Sequence, residues 1–399
     1  NLAEQGGTEI TGNRFKADST RNDYRAIYGN DLNYGVWISK NHIFVPVGDY
    51  GIYIDDSEGN ENNRNWIVNN FITMGGSDPY GMYYDYSDDN NIYFNSILLT
   101  SSASSSSRGI SFNNGYDNYL KNNTVQNRGQ GYAVYADDYN IIDQSNHNNF
   151  ITNGNYIGNW DYQDVETLSD WQSVSSMDTN SVSADPLYAG VDSLHANSAI
   201  LNGQGVSIDS IATDIDGESR QDPPDIGADE FTPTGDNASL AKLIYPEPPF
   251  TPGTYDIKAS ILNLSFSALK QVDIEWEVNG TAQTTYNWSD SLNTNESDTV
   301  TLGSFTFQSG QDYDIKAWTS NPNGDTDINP KNDTASVSKL FAALEGVYTI
   351  GGSSPDFDSL YKAADFLEKG GASDTVWFKI RPGTYQEQVS IGSYPGQSC

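Results

Sequence analysis

Short runs of alternating apolar and polar residues recur along residues 10–155 at intervals of 26–28 residues. In one run, an asparagine stands two positions before an apolar or β-branched residue. In a second run, an aliphatic residue is followed directly by another residue, which is mostly tyrosine. A helix would need a 3.6-residue period, whereas strict alternation is typical of strands. Stacked repeats would bury the apolar side that one repeat cannot bury alone. The pattern therefore predicts a parallel β-helix with one coil per repeat.

The asparagines of the first run predict a ladder of side-chain amides. They occupy one position of successive repeats: Asn13, Asn41, Asn69, Asn95, Asn122 and Asn148. At an inward turn, each amide can hydrogen-bond to the asparagine of the next coil, as in other stacked strands. We therefore assign these asparagines a structural role and no catalytic one.

The second run predicts a row of tyrosines on the outside of the β-helix. If its aliphatic residues fill the interior, the residues that follow them point outward by strand alternation. These are Tyr28, Tyr53, Tyr83, Ser111 and Tyr135. An exposed aromatic row can stack on sugar rings and bind carbohydrate. It can also consist of strand-favouring residues that shield the sheet through cross-strand contacts, and the sequence leaves both interpretations open.

A polar row follows the tyrosines and includes Asp55, Asp85 and Asp137. Stacked strands lie about 4.8 Å apart, so neighbouring carboxylates of this row repel one another unless water or a cation lies between them. Calcium, which binds six to eight oxygen ligands, could bridge the row. A solvated acidic edge is the alternative, because no strict calcium-loop motif is present. Calcium is the one cofactor that the sequence suggests.

A different set of motifs follows in residues 160–231. They are Asp185-Pro186-Leu187, LHANSAILNGQG at 194–205, DIDGESR at 214–220 and DIGADEF at 225–231. This series resembles the C-terminal end of right-handed parallel β-helices in secreted bacterial proteins, especially those of Bacteroidota, although Asn197 begins a triplet where that family usually has Ser-Pro-Ala. The resemblance implies that this stretch caps the helix and protects its last strands from edge-to-edge association. Asp214 and Asp216 fit either a calcium loop or a structural turn.

Longer alternating strands replace the repeat after a proline-rich linker near residue 232. Asn279-Gly280 predicts a tight hairpin turn. About seven strands over roughly 100 residues predict a two-sheet sandwich. The strands and the segment 329–333 resemble the immunoglobulin-like domains of bacterial adhesins and surface enzymes, which implies a spacer without a catalytic site.

The last segment resembles the opening of a pectin-esterase-like β-helix, in which a capping helix precedes the first coil. A helix is predicted near Ser359–Lys369 and a strand near Val376–Ile380. The predicted fold class is thus all-β, with three parts. They are a right-handed parallel β-helix with a C-terminal cap over 1–231, an immunoglobulin-like β-sandwich over 232–345, and the N-terminal cap and first coil of a further, truncated β-helix over 346–399.

The net charge of the chain disfavours two classes of binding partner. It has 20 Lys and Arg against 54 Asp and Glu, a formal net charge of −34, which opposes binding to nucleic acid and to anionic membranes. No apolar run approaches the ~20 residues that span a bilayer. Cys399 is the only cysteine, so the chain has no internal disulfide. These features suit a secreted protein at the cell surface.

The modular layout favours a non-catalytic extracellular surface segment: an adhesin, a stalk or a filament subunit. Polysaccharide or cell-surface glycans are the expected partners, and end-to-end association of open β-helix edges into fibres is a further hypothesis. The alternative is a polysaccharide lyase or hydrolase. A lyase would need a base beside a group that neutralises a carboxylate, but the basic residues of the repeat region do not align from coil to coil. They are Lys40, His42, Arg64, Arg108, Lys121, Arg128 and His147.

Overall fold

The computed structural model describes residues 2–3, 7–17, 24–32, 35–60 and 62–395, so Cys399 lies outside the described residues. The chain is all-β and combines a long parallel β-solenoid with antiparallel sheets. It divides into two compact units, Asn1–Thr234 and Gly235–Cys399. Among the described helices, none is long and apolar enough to cross a membrane.

The first unit contains the solenoid. Its strands are β1 (Leu2–Ala3), β2 (Glu9–Thr11), β3 (Arg14–Lys16), β4 (Arg25–Asn30), β5 (Trp37–Ser39), β6 (His42–Val45), β7 (Tyr50–Glu58), β8 (Asn65–Val68), β9 (Phe71–Met74), β10 (Tyr80–Asp88), β11 (Asn90–Tyr93), β12 (Ser96–Leu99), β13 (Arg108–Asn113), β14 (Asn118–Lys121), β15 (Thr124–Asn127), β16 (Tyr132–Ala136), β17 (Ile142–Asn146), β18 (Asn149–Thr152), β19 (Gly158–Trp160) and β20 (Gln163–Val165). One helix follows, α1 (Leu168–Ser175).

Three sheets run along the solenoid and take one strand each from six successive coils, after which sheet 1 continues with β19 and the antiparallel β20. Sheet 1 has the order β1-β4-β7-β10-β13-β16-β19-β20, sheet 2 the order β17-β14-β11-β8-β5-β2, and sheet 3 the order β18-β15-β12-β9-β6-β3. The aliphatic residues predicted to face inward all lie in one buried core: Ile27, Ile52, Met82, Ile110 and Val134. The predicted repeat and parallel β-solenoid are therefore confirmed.

Helix α1 covers the last coil of the solenoid. Thr167 and Asp170 form a capping box at its N-terminus, which satisfies backbone donors that the first turn leaves free. Trp171 is fully buried, with its ring centroid 5.3 Å from that of Trp160. Its indole nitrogen donates a hydrogen bond of 2.9 Å to Asp178. The end of the solenoid is thus closed by a short helix and one large side chain.

Residues 177–231, which we call the flank segment, run back along the side of the solenoid. Gly227 donates its backbone N–H to the carbonyl of Asn122 (2.8 Å), and Ala228 donates to the hydroxyl of Ser96 (3.0 Å). Further back, the Lys40 amine donates to the hydroxyl of Thr213 (3.0 Å). The motifs expected to cap the helix therefore cover its flank over several coils, because their backbone groups pair with turn residues of those coils.

The second unit is built mainly from antiparallel strands. They are β21 (Ala238–Ile244), β22 (Gly253–Asn263), β23 (Leu269–Val278), β24 (Thr281–Ala282), β25 (Tyr286–Leu292), β26 (Ser297–Phe307), β27 (Asp312–Ser320), β28 (Thr334–Phe341), β29 (Leu344–Ile350) and β30 (Ala372–Ile380). A 3-10 turn spans Pro322–Gly324, and α2 spans Leu360–Gly370.

Two antiparallel sheets of this unit enclose a common core. One has the order β21-β22-β26, and the other has the order β24-β23-β27-β28, with β25 paired to β23. Asn279 and Gly280 form the predicted hairpin turn between β23 and β24. A separate pair, β29 and β30, is parallel and packs against α2. Ser359 caps that helix by accepting from the backbone N–H of Lys362.

The free energy of unfolding is expected to depend on pH through Asp333, which lies in this unit. Burial, with a further contribution from Asp327, raises the pKa of Asp333 to about 7. Its Oδ1 is buried without a hydrogen-bond partner in the described residues. Because the folded pKa lies above the unfolded value, this contribution to stability is complete below about pH 4 and is lost as pH rises to about 7. Asp333→Asn should therefore stabilise the chain at pH 8 by on the order of 1–2 kcal/mol and change little at pH 4.5.

Urea unfolding of the full chain at both pH values measures this difference. Asp325→Asn, which changes an exposed acid of the same turn, is the matched control and should be neutral at both. A variant at Asp333 that is less stable than the wild type at pH 8 would contradict the assignment.

Candidate functional site

The outer face of sheet 1 has two adjacent rows of side chains, which together we call the tyrosine face. The first row is the predicted one: Tyr28, Tyr53, Tyr83, Ser111 and Tyr135. The second row stands three residues earlier in each coil: Arg25, Tyr50, Tyr80, Arg108 and Tyr132. Members of each row are register partners in neighbouring strands, so the face extends over five coils.

The rings of the tyrosine face contact one another both along and across the rows. Tyr53 lies 5.2 Å from Tyr28 and 4.9 Å from Tyr83, measured between ring centroids. Tyr50 and Tyr80 are stacked at 5.0 Å with an interplanar angle of 22°. Across the rows, Tyr50 and Tyr53 are 4.9 Å apart. Mixed tilted, edge-on and stacked pairs at these distances stabilise one another and hold the rings in place.

Two arginines complete the tyrosine face. The Arg25 guanidinium lies 4.5 Å from the ring centroid of Tyr28 and 4.4 Å from that of Tyr53. The Arg108 guanidinium lies 3.5 Å from the centroid of Tyr135. The small side chain of Ser111 leaves room for it, and the two side chains hydrogen-bond at 3.4 Å. Cation–π contacts of this kind position both guanidinium groups over the rings.

Sequence reasoning missed the second row because strict alternation fails within these strands. A side chain at Gly51 would meet Ile72 and Met74 in the interior, so Gly51 and Ile52 both face inward. Tyr50 consequently lies on the same outer side as Tyr53. The signal was nevertheless present, since an aromatic residue or arginine stands three positions before each member of the first row.

Tyr53 and Tyr83 keep their hydroxyl protons at neutral pH, because the pKa of each is raised. Burial, followed by the charge of Asp55, raises the pKa of Tyr53 to about 12. Burial raises the pKa of Tyr83 further still, with the charge of Asp85 as the next cause. A lyase base needs a pKa near the working pH, so these two tyrosines are poorly suited to proton abstraction.

The acidic row beside the tyrosine face is hydrogen-bonded to its neighbours. Asp55 accepts from the hydroxyl of Tyr28 (3.0 Å), and Asp85 accepts from the amide of Asn113 (2.8 Å). Asp137 is buried and accepts from the backbone N–H of Asn114 (3.1 Å). Asp55 and Asp85 are register partners in sheet 1. Both carboxylates therefore border the rings and can accept hydrogen bonds from a ligand.

Asp214 and Asp216, the other acids expected at a cation site, have different surroundings. Asp214 is fully buried and accepts from the backbone N–H groups of Asp216 (3.0 Å), Glu218 (2.7 Å) and Glu230 (3.1 Å). These bonds make it the centre of a structural turn. Asp216 is half-exposed and instead bonds His195, at 2.8 Å between Oδ2 and Nε2.

The asparagine ladder forms, and its register differs from the predicted one at two positions. The side-chain amides bond in the order Asn13, Asn41, Asn70, Asn95, Asn123 and Asn148, at 2.9–3.1 Å. Asn69 and Asn122 precede the ladder residues of their coils and adopt a left-handed backbone, with φ of 53° and 59°. Their side chains bond the flank segment at Thr213 and Val206.

The basic residues weighed for a lyase are bound in separate local contacts. Arg64 pairs with Asp89 at 2.7 Å. The Lys121 amine donates to Gln144 at 2.9 Å, and His147 Nδ1 lies 2.7 Å from the carbonyl of Gln204. The first two contacts join neighbouring coils, and the third joins a coil to the flank segment, so these three groups do not converge on one site.

No family model matches the chain, and no curated protein matches it. Among solved structures it is similar to the CARDB domain of the PF1109 protein from Pyrococcus furiosus in complex with di-metal ions. That match has 18% identity and a TM-score of 0.22, and covers 27% of this chain and 89% of that one. The solution NMR structure of the same domain has 20% identity and a TM-score of 0.22, with coverage of 28% and 95%. The function must therefore be inferred from the tyrosine face itself.

Proposed function

We propose that this chain is a segment of a secreted cell-surface protein, an adhesin or stalk, whose tyrosine face binds polysaccharide without cleaving it. The observation that supports this most is the continuous array of seven tyrosines and two arginines over five coils of one sheet. Aromatic rings provide apolar faces on which sugar rings can stack. Contiguous aromatic patches on soluble proteins are commonly binding sites.

The shape of the tyrosine face suits an extended polymer. Strands of a sheet lie about 4.8 Å apart, so the five coils place the outermost residues of each row about 19 Å apart. A ligand lying along this direction would cross one ring or guanidinium at every coil. The rings already contact one another, so little side-chain entropy is lost when the polymer binds.

The charge beside the tyrosine face favours a neutral polysaccharide. Asp55 and Asp85 border the rings, and both can accept hydrogen bonds from sugar hydroxyls. Carboxylates of a uronate polymer would instead be repelled by this row and by the net charge of −34. Arg25 and Arg108 offset part of that repulsion, but they are outnumbered along the same edge.

The remaining parts of the chain are proposed to display this face. We assign a right-handed solenoid of the secreted Bacteroidota type and an immunoglobulin-like spacer of the adhesin type. Val347 and Trp377 are exposed register partners on the open side of the parallel pair β29–β30, and a further coil would cover them. This supports the assignment of residues 346–399 to the start of a second β-helix, and end-to-end association of such modules would make a fibre.

A glycan array tests this proposal. The probes are neutral glucan, xylan, mannan and chitin chains, with alginate and polygalacturonate as anionic comparisons. The wild type is expected to bind at least one neutral polymer, and the double variant Tyr50→Ala/Tyr80→Ala to bind it at least tenfold more weakly, which corresponds to about 1.4 kcal/mol. Tyr50→Phe/Tyr80→Phe keeps the rings and should retain most of the affinity.

Tyr139→Ala is the matched control, because Tyr139 is exposed and does not belong to the tyrosine face. Thermal unfolding of each variant shows whether its fold is intact. Equal binding by the wild type and the folded Tyr50→Ala/Tyr80→Ala variant would refute the proposal, as would a preference for the anionic polymers.

A further inference from the structure

His195, Asp216 and Asp229 converge on one point of the flank segment. Their ligand atoms all lie within 4.8 Å of one another. We propose that these three side chains form a binding site for a divalent transition-metal ion of the zinc class. The site lies apart from the tyrosine face and does not depend on polysaccharide binding.

The donor set is the first argument for a transition metal. An imidazole nitrogen suits zinc, nickel or cobalt, whereas calcium prefers six to eight oxygen ligands. Asp214, for which the sequence allowed either a calcium loop with Asp216 or a structural turn, accepts from three backbone N–H groups. Asp216 is therefore separated from that loop and joined to a nitrogen ligand instead.

The spacing of the donors is the second argument. His195 Nε2 and Asp216 Oδ2 are 2.8 Å apart. Two ligands bound to one tetrahedral ion at about 2.0–2.2 Å stand about 3.4 Å from each other, so these two atoms would have to separate by only about 0.6 Å to share an ion. A divalent ion can take the place of the proton that joins these two atoms.

The surroundings of the donors are the third argument. His195 Nδ1 shares a hydrogen bond of 2.7 Å with the Ser193 hydroxyl, and the ring meets Phe71 edge-on at 5.1 Å. Metal-bound histidines usually have their second nitrogen fixed in this way. Asp229 is 5% exposed and accepts a hydrogen bond of 3.0 Å from the backbone N–H of Ala196. The nitrogen ligand and the buried carboxylate are thus oriented before an ion arrives.

The exposure of the other two ligands leaves the site accessible. The side chains of His195 and Asp216 are 42% and 45% exposed, so an ion can enter and water can complete its coordination. The three ligands come from three separate stretches of the flank segment. An ion bound to all of them would tie those stretches together and raise the stability of the first unit.

Isothermal titration of the chelator-treated full chain with ZnCl₂ and CaCl₂ tests the site. We expect one zinc ion per chain in the wild type and in the control His147→Ala, and at least tenfold weaker binding in His195→Ala and Asp216→Asn. A tenfold excess of calcium should leave zinc binding unchanged. Co²⁺ should give a visible absorption band in the wild type that both site variants lose.

Asp216→Asn changes a half-exposed residue, so it tests the site even if His195→Ala disturbs the turn. Equal zinc affinity in the wild type and in folded Asp216→Asn and His195→Ala would overturn the proposal. Absence of zinc binding by the wild type, or competition by calcium at equal concentration, would overturn it as well.

Discussion

Replacing Asn95 by alanine is expected to lower the free energy of unfolding of the solenoid by about 3–5 kcal/mol. Asn95 is fully buried in the middle of the ladder. Its carbonyl oxygen accepts from both the backbone and the side chain of Asn70, and its amide donates to Asn123 and to the carbonyl of Ile67. Alanine would leave these groups buried without partners, and each unsatisfied group costs about 1–3 kcal/mol.

Urea unfolding of the full chain measures this loss. Asn140→Ala changes an exposed asparagine of the same solenoid and is expected to shift stability by less than about 0.5 kcal/mol. Asn95→Asp keeps the shape but places a buried carboxylate oxygen against the carbonyl of Ile67 and the amide oxygen of Asn123, so it should cost at least as much as Asn95→Ala. If Asn95→Ala cost no more than Asn140→Ala, the ladder would not be a main source of stability.

Replacing Arg220 by methionine should cost about 3–5 kcal/mol and release the flank segment from the coils. The Arg220 side chain is 4% exposed and pairs with Glu230 at 3.2 Å. It also donates to Asn69 at 2.8 Å and lies 3.8 Å from the ring centroid of Phe94. Methionine fills part of the space but leaves the Glu230 carboxylate buried without its cation.

Hydrogen exchange of the flank segment measures this release, with protection expected to fall across residues 206–228. Arg220→Met/Glu230→Gln removes both charges and should recover part of the lost stability, because the one carbonyl oxygen of glutamine can still accept from the backbone N–H of either Gln221 or Asp225. Unchanged protection in Arg220→Met would mean that the flank segment is held by its apolar contacts alone.

The ladder shows how far a repeat can be predicted from its period. Spacing alone could not decide between the two residues of Asn69-Asn70 and of Asn122-Asn123, because both choices fit the period. In the coil before Asn69 and Asn70, Lys40 has a left-handed backbone and comes directly before the ladder residue Asn41. Counting back two positions from the buried Ile72, as from Ile43, would have selected Asn70. The core residue therefore defines the register better than the repeated asparagine does.

Two features could not be predicted from the sequence: half of the tyrosine face and the path of the flank segment. Half of the tyrosine face was missed because Gly51 lets two successive residues face inward, which breaks the alternation. The path of the flank segment was not predictable, since its contacts join residues far apart in sequence, such as Asn122 and Gly227. The cluster around His195 depends on that path, so its members appear unrelated in the sequence.

We propose that the tyrosine face binds a neutral polysaccharide and leaves it intact. The most direct test is to incubate the chain at saturation with the polymer that it binds best, and to measure the polymer's chain-length distribution and its reducing and unsaturated ends. We expect the polymer to be retained by the wild type, to be lost from Tyr50→Ala/Tyr80→Ala, and to be unchanged in length in both samples. If the wild type shortened the polymer, the chain would instead be an enzyme.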